Sequence, residues 1–346
     1  RTAEVLASGW LTQGPKVAAF EAAFAQQVQA PHAVAVSSCT TALHLALLAV
    51  GVQPGDVVLT VSHSYIATAN SVRYCQAEPV FVDIDPHYYT MNPDLLEEAI
   101  TPRTKAIIPV SLYGQMPDLE RINAIAAKYD IAVIEDGAQS FGATQNGKRS
   151  CGASLIGSTS FFPAKPLGCY GDGGALFTDD DDLSRKMKAI RTHGGEIRHH
   201  HTLVGTNGRF DTIQAAILLA KWPHFHAEIK KRAEIGNSYS KALKDYVTVP
   251  KIMDGNTHVY GQYTVRVPGD KRTNIQSRLK AKGIPTGVYY PNVFHEQPVF
   301  QNMGHNTGGF PESKKASREV ISLPIHPLIH QTDQESIIQS LRSIIP

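Results

Sequence analysis

The stretch Ile131-Ala-Val-Ile-Glu-Asp136 is a run of apolar residues that ends in two acids, and Gly137-Ala-Gln-Ser140 follows it. A short apolar run of this kind predicts a strand buried on both faces, as in parallel sheets. The helical pattern of Leu119–Tyr129 comes directly before it. Together they predict one unit of an α/β fold, with polar residues at the carboxyl end of a strand, where open α/β sheets bind ligands.

The same alternation of short apolar runs and amphipathic segments extends in both directions. Further strands are predicted at His32–Val36, Asp56–Val61, Val80–Val82, Ala106–Leu112, Ser158–Phe162 and Ala175–Phe177. Further helices are predicted at Thr40–Val50, Ile66–Cys75, Pro93–Ile100 and Leu183–Ile190. The pattern predicts a three-layer α/β/α domain around a mainly parallel sheet.

From about residue 210 the pattern changes. Asp211–Leu243 is a long helical stretch, and a β-rich run at Val259–Val267 follows it. A chain of 346 residues is expected to form about two domains. We therefore predict a large domain over residues 1–225 and a smaller C-terminal α+β domain over residues 226–346.

Composition excludes several classes of function. Lys and Arg (33) nearly balance Asp and Glu (31), and no basic tract indicates binding to nucleic acid. No apolar run approaches the roughly 20 residues of a membrane span. The four cysteines lack CxxC spacing, so neither a disulfide framework nor a metal site is expected, and a reducing cytoplasm is favoured. Arg198-His199-His200-His201 is interpreted as a substrate-side or interface loop, because consecutive residues rarely converge on one ion.

Three polar features follow predicted strands. Ser38-Cys39-Thr40-Thr41 opens a helix, so its backbone N–H groups suit a phosphate, although an ordinary N-cap gives the same pattern. Tyr65 could stack on a flat ring or simply pack in the core. Asp136 could pair with a protonated ring nitrogen, which allows that ring to accept electrons, or could cap the next segment.

The most specific segment is Ser160-Phe-Phe-Pro-Ala-Lys165-Pro-Leu-Gly168. Pro166 turns Lys165 away from helical geometry, and the glycines that follow permit tight turns. A lysine in such apolar surroundings can have a lowered pKa and form a Schiff base, whereas a surface lysine with a buried stem is the alternative. The glycine run Gly168–Gly174 has neither P-loop nor GxGxxG spacing.

In their order along the chain, these segments resemble the DegT/DnrJ/EryC/StrS family of sugar aminotransferases, which are pyridoxal-phosphate (PLP) enzymes of fold type I. The resemblance covers nearly the whole chain. It rests on Ser8–Pro15, Phe20-Glu21, Ser38–Leu43, Ser64–Ala67, Glu135–Gln139, Ser160–Lys165, Asn207–Asp211, Gln214–Ala216 and Tyr290-Pro291.

The resemblance implies a role for each matching residue. Lys165 would hold PLP as a Schiff base and move the proton, and Asp136 would pair with the pyridine nitrogen. Gln139 would contact the phenolic oxygen, and Tyr65 would stack on the ring. The phosphate would be held by the Cys39 backbone, Thr40 and Ser160, and in a homodimer by Asn207 of the neighbouring subunit.

The closest branch of the family is the one that makes a 3-amino uronic acid. Thr101–Pro109, Phe161–Gly174 and Gly205–Arg209 resemble aminotransferases acting on UDP-2-acetamido-2-deoxy-3-keto-glucuronic acid, with glutamate as amino donor and 2-oxoglutarate as its product. Arg209, from the partner chain, would meet a substrate carboxylate. Such sugars imply a place in bacterial surface polysaccharide synthesis, such as that of lipopolysaccharide O-antigen.

Two positions depart from the family pattern, and three alternatives remain. Cys39 stands where glycine is usual, and Tyr289, expected at the substrate, stands where histidine is frequent. A 4-keto-6-deoxy sugar aminotransferase would share these motifs. A PLP-dependent sugar dehydratase would carry histidine in place of Lys165. A non-catalytic sensor with the same fold would neither be coloured nor react with glutamate.

Overall fold

A computed structural model describes residues 1–301 and 309–345. The predicted small domain therefore includes positions, 302–308 and 346, that lie outside the described residues. The strands are β1 (His32–Val36), β2 (Val57–Val61), β3 (Glu78–Val82), β4 (Thr104–Ile108), β5 (Ala132–Asp136), β6 (Thr144–Gln145), β7 (Lys148–Arg149), β8 (Ile156–Ser160), β9 (Gly174–Thr178), β10 (Tyr263–Arg266) and β11 (Val320–Leu323).

A seven-stranded sheet in the order β1-β9-β8-β5-β4-β2-β3 forms the centre of the molecule. Strands β2, β3, β4, β5 and β8 pair in parallel, and only β9 runs against both of its neighbours within this sheet. All five residues of β2 are buried, as expected for a strand covered on both faces. The predicted mainly parallel α/β sheet is confirmed.

Helices cover both faces of this sheet and build the C-terminal part of the chain. The helices are α1 (Thr2–Ser8), α2 (Pro15–Val28), α3 (Cys39–Ala49), α4 (Ala67–Tyr74), α5 (Leu96–Ala99), α6 (Leu119–Lys128), α7 (Asp181–Arg191), α8 (Thr212–Lys221), α9 (Phe225–Leu243), α10 (Arg272–Ala281), α11 (Pro311–Glu319) and α12 (Gln331–Ile344). No helix among the described residues is both long and apolar enough to cross a membrane.

The structure refines two of the predicted elements. The stretch Asp211–Leu243 is divided into α8 and α9 by a 3₁₀ turn, Trp222–His224, where Pro223 lacks the N–H group that a continuous helix needs. The β-rich run Val259–Val267 forms a strand only over β10. Its first residues bind another segment instead, since the Val259 N–H donates to the Gly114 carbonyl at 2.8 Å.

The C-terminal part has an apolar core of its own, formed by α9, α10, α12 and the antiparallel pair β10–β11. Helix α9 takes part in two cores. Phe225 at its start packs with the core of the large sheet, whereas Tyr239 and Leu243 pack in the C-terminal core. The boundary between residues 225 and 226 therefore stays a prediction, drawn through the start of a helix that both cores share.

The parallel strands bring their carboxyl ends to one edge of the sheet. Ser38 follows β1, Tyr65 follows β2 and Tyr113 follows β4, while Asp136 ends β5 and Ser160 ends β8. These positions are far apart in the sequence but adjacent in the sheet order. The topology therefore brings together the residues that the sequence singled out.

Candidate active site

Asp136 is a buried carboxylate at the end of β5, with only 5 % of its surface exposed. Its Oδ2 accepts a hydrogen bond from the Thr68 hydroxyl at 2.8 Å, and its Oδ1 accepts one from the Ala138 N–H at 3.2 Å. Burial raises the pKa of this carboxyl, and the bond from Thr68 opposes the rise. Within the described residues no basic group forms a salt bridge with Asp136, so the site is suited to a cationic ligand atom.

Lys165 lies in the turn that follows β8. Its backbone N–H donates to the Phe162 carbonyl at 2.9 Å, and Pro166 comes directly after it. Burial lowers the pKa of the lysine amine, while the nearby Cys39 and Asp136 act in the opposite direction. A desolvated amine close to a carboxylate can be unprotonated part of the time, as a nucleophile and a proton carrier require.

The start of α3 forms a turn with free backbone donors. The Ser38 hydroxyl accepts from the Thr41 N–H at 3.1 Å, which leaves the N–H groups of Cys39 and Thr40 without an intrahelical acceptor. A Cβ atom at Gly174 would lie 2.6 Å from the Ser38 carbonyl carbon, so only glycine lets β9 approach this turn. Because Gly174 pairs with Ser160, the Ser160 residue is brought to the same place.

Cys39 is the residue that departs from the usual glycine. Its Sγ lies 3.9 Å from Asp136 Oδ1 and 3.8 Å from the Ser158 hydroxyl. Burial raises the pKa of the thiol, and the neighbouring Asp136 charge adds to the rise. The thiol thus stays protonated and contacts the carboxylate, so this position does more than close the turn.

The side-chain amide of Gln139 has a fixed orientation. Its Oε1 accepts from the Tyr113 N–H at 2.7 Å, so its Nε2 is the atom that faces the pocket, where it donates to the Tyr290 hydroxyl at 3.2 Å. The ring of Tyr65 is 57 % exposed, and its centroid lies 5.7 Å from that of Tyr290. Tyr65 therefore presents an open aromatic face beside an amide donor.

The side chains of Tyr289 and Tyr290 lie in different surroundings. The Tyr289 ring packs on Gly287, where a Cβ atom would lie 2.7 Å from it, while the Tyr290 hydroxyl reaches Gln139. The sequence pattern predicted Tyr289 at the substrate but not the contact of Tyr290 with Gln139, although Tyr290-Pro291 is part of the family resemblance. It also missed Thr68, whose signal is its position three residues after Tyr65, on the first turn of α4.

Asn207 and Arg209 lie on the surface segment 193–209, and Gly208 between them accepts a hydrogen bond from the Ser37 N–H at 3.1 Å, beside the turn that opens α3. Arg209 Nη1 lies 3.2 Å from His193 Nε2, and Asn207 forms a backbone bridge with Thr192. Within the described residues neither side chain hydrogen-bonds to the strand-end cluster, which consists of Cys39, Thr40, Tyr65, Asp136, Gln139, Ser160 and Lys165. The segment is also rich in exposed apolar surface, since Val204 is 94 % exposed.

The histidines of this segment are exposed and locally bonded. His201 Nδ1 lies 2.9 Å from the His193 carbonyl oxygen, and the Arg198-His199-His200-His201 run remains at the surface. Across residues 1–301 and 309–345, no group of three or more metal-ligating side chains is assembled.

The residues at the strand ends fit PLP in each of its parts. The buried Asp136, which forms no salt bridge within the described chain, suits a protonated pyridine nitrogen. The free N–H groups of Cys39 and Thr40 suit the phosphate, since a helix start favours anions. The desolvated amine of Lys165 suits a Schiff base with the aldehyde.

The chain matches the model of the DegT/DnrJ/EryC1/StrS aminotransferase family over residues 1–342. It is 48 % identical to the UDP-2-acetamido-2-deoxy-3-oxo-D-glucuronate aminotransferase of Pseudomonas aeruginosa, over 97 % of this chain and 93 % of that one. It is 43 % identical to a pleiotropic regulatory protein of Geobacillus stearothermophilus, over 98 % and 91 % of the two chains.

A solved structure extends this likeness to the whole fold. The structure of NtdA from Bacillus subtilis with its bound cofactor PMP matches 99 % of this chain and 80 % of that chain. Its TM-score is 0.93 and its sequence identity 32 %. The fold is thus that of a fold type I aminotransferase. The chain belongs to the DegT/DnrJ/EryC1/StrS aminotransferase family.

Proposed function

We propose that the protein is a PLP-dependent aminotransferase that moves an amino group from L-glutamate to UDP-2-acetamido-2-deoxy-3-keto-glucuronate. The burial of Lys165 next to Asp136 supports the reaction type. The observation that carries the choice of sugar is the 48 % identity, over 97 % of the chain, to the enzyme named for that substrate.

When bound, PLP supplies an electron sink that stabilises negative charge at the carbon that loses its proton. The chain's own residues then have distinct tasks. Lys165 takes that proton with its desolvated amine and returns it at the other end of the transfer. Asp136 keeps the ring nitrogen protonated, and Thr68 and the Ala138 N–H hold the carboxylate in place. Gln139 Nε2 would be available to donate to the phenolic oxygen of PLP.

We further propose that the active site is completed by a homodimer. Within the described residues the side chains of Asn207 and Arg209 form no hydrogen bond with the cluster of their own chain, and they lie on an exposed segment that carries Val204 and Ile197. Apolar surface of this kind is suited to an interface. In the dimer, Asn207 of one protomer would reach the phosphate bound by the other, and Arg209 would pair with the carboxylate of glutamate or of the uronate.

The proposal places the reaction in the cytoplasm and in the synthesis of a bacterial surface polysaccharide such as lipopolysaccharide O-antigen. All four cysteines are free thiols in the described structure, which agrees with a reducing compartment. The aminated product would carry a carboxylate and an amine on the same sugar ring, two charged groups that a polysaccharide can carry into its repeat unit.

A reverse half-reaction tests the substrate. PLP-loaded protein receives UDP-2-acetamido-3-amino-glucuronic acid or a UDP-4-amino-6-deoxy sugar, and the visible band of the cofactor is followed. We expect the 3-amino uronate alone to bleach the band. Bleaching by the 4-amino sugar alone would move the protein to the 4-keto branch. A protein that gains no band after PLP is added would contradict the enzyme proposal and favour a regulatory role.

A further inference from the structure

A chain of buried polar groups leads away from the proposed cofactor contacts, from Gln139 to His63. Its members come from three adjacent strands, because His63 follows β2, Tyr113 follows β4 and Gln139 follows β5. Their exposed fractions are 0 %, 3 % and 4 %. Buried polar groups of this kind are costly unless they are bonded, so their arrangement is informative.

The directions of the hydrogen bonds follow from the available protons. The Tyr113 hydroxyl donates to the Tyr289 carbonyl oxygen, which can only accept. The same hydroxyl oxygen lies 3.1 Å from His63 Nε2, so the histidine must donate there. Nδ1 of His63 has no partner among the described residues. His63 is thus held as one tautomer, and burial lowers its pKa to about 4, which keeps it neutral near pH 7.

Tyr113 forms hydrogen bonds with two groups beside the proposed cofactor site. Its N–H fixes the Gln139 amide, and its hydroxyl fixes the Tyr289 carbonyl. Tyr290, the next residue, accepts from Gln139 Nε2 at 3.2 Å. Tyr113, Gln139, Tyr290 and Tyr289 therefore form a closed hydrogen-bonded ring. The ring joins the strand ends of the large sheet to the segment that pairs, through Gly287, with β11.

We propose that His63 and Tyr113 are positioning residues for the transamination. They hold the Gln139 amide and the Tyr290 hydroxyl on the pocket wall, and His63 does so by donating from Nε2 to the Tyr113 hydroxyl. This inference rests on the proposed function, in which the Gln139 amide faces the phenolic oxygen of PLP. A purely structural role for the same residues would change stability without changing the cofactor's surroundings.

Three variants separate the two roles. Tyr113→Phe removes the hydroxyl, His63→Leu removes the donor, and His63→Gln keeps an Nε2 donor at the same depth. We expect the affinity of the apo-protein for PLP to fall roughly 3- to 10-fold in the first two variants, as for the loss of one hydrogen bond. Both should also shift the absorption maximum of the bound cofactor, whereas His63→Gln should stay within about twofold of wild type.

The double variant His63→Leu/Tyr113→Phe provides the decisive comparison. Because His63 acts through the Tyr113 hydroxyl and the Tyr289 carbonyl that this hydroxyl binds, its loss should cost less PLP affinity in the Tyr113→Phe background than in wild type. Additive losses in PLP affinity would overturn the inference. So would a His63→Gln variant as impaired as His63→Leu, or unshifted spectra in variants that have lost thermal stability.

The wild-type protein distinguishes this inference from the proposed function. If wild type binds PLP and glutamate bleaches its band, unchanged variants would count against the positioning roles alone. If wild type neither binds PLP nor responds to glutamate, the proposed function fails, whatever the variants do.

Discussion

Within one chain, hydrogen bonds hold the side chains of the strand-end cluster in place, whereas those of the surface segment 193–209 have fewer such bonds. Asp136 is buried and accepts hydrogen bonds from Thr68, from the Ala138 N–H and, at longer distance, from the Cys39 thiol, and the Gln139 amide is held at both ends. Within the described residues Arg209, by contrast, hydrogen-bonds only to the His193 side chain, on a segment that exposes Val204. A single chain therefore holds in place the groups expected to perform the chemistry. The groups expected to bind the anionic substrate would reach it only in the proposed homodimer.

The largest effect is expected at Lys165, within the strand-end cluster. Lys165→Ala removes both the nucleophile and the proton carrier, so kcat should fall by at least about 10⁴-fold. PLP should still bind, because Asp136 and the turn at Cys39 remain. Steady-state rates with glutamate, together with PLP content, check this.

Lys165→Arg serves as its matched control. It keeps a cation at the position but cannot form the Schiff base, and should be equally inactive. Turnover by either variant at close to the wild-type rate would contradict the proposed role of Lys165 and the proposed chemistry of the strand-end cluster.

A smaller loss is expected at Asp136. Asp136→Asn keeps the shape but removes the charge opposite the ring nitrogen, so kcat should fall about 10³-fold. Thr68→Val is the comparison, because it leaves the charge and removes one hydrogen bond; it should cost roughly 3- to 10-fold. Similar losses in the two variants would mean that the charge of Asp136 is not the important property.

The sequence predicted the two regions unequally. Asp136 and the turn at Cys39 could be found because each comes at the end of an apolar strand, and Lys165 because it stands between apolar residues and a glycine run. Tyr290 and Thr68 could not be found from the same pattern. Tyr290 reaches Gln139 from a segment about 150 residues away, and its approach depends on how the C-terminal part packs against the sheet.

The long helical stretch shows the same limit in the fold. The apolar pattern of Asp211–Leu243 is continuous, and the sequence gives no sign that α9 is shared by two cores. Pro223 indicates the break at Trp222–His224, but the division of α9 between two cores depends on contacts with distant residues. Local pattern predicts elements, whereas the assignment of an element to a core needs the tertiary packing.

The stability of the folded protein should also decrease at acidic pH, because His258 is buried. His258 stacks on Tyr260, and its Nδ1 accepts from the Tyr260 N–H at 2.9 Å. Burial lowers the pKa of His258 to about 3, so the unfolded chain binds a proton that the folded chain does not. This contribution to stability is complete above the unfolded pKa of about 6.5 and is lost as the pH falls toward 3.

His258→Asn keeps an acceptor for the Tyr260 N–H but cannot be protonated. Between pH 7 and pH 4.5, wild type should lose about 3 kcal/mol more of its unfolding free energy than this variant. Urea unfolding at several pH values and one protein concentration measures the difference. Equal slopes in the two proteins would show that His258 becomes protonated without unfolding.

A hybrid dimer distinguishes the two regions most clearly, although its expected activity differs only about twofold from that of wild type. Arg209→Ala alone should slow the reaction by roughly 10²-fold, because a charged hydrogen-bond partner of the substrate is lost. In a purified hybrid of Lys165→Ala and Arg209→Ala chains, one site combines both defects and the other combines the intact Lys165 with the intact Arg209 of the other protomer. The hybrid should therefore regain about half of the wild-type activity. A hybrid of Lys165→Ala and Asp136→Asn chains is the matched control, and it should regain none, because both residues serve the site of their own chain. If the first hybrid also stays inactive, Arg209 acts within its own chain, and the surface segment belongs to the same preformed site as the strand-end cluster.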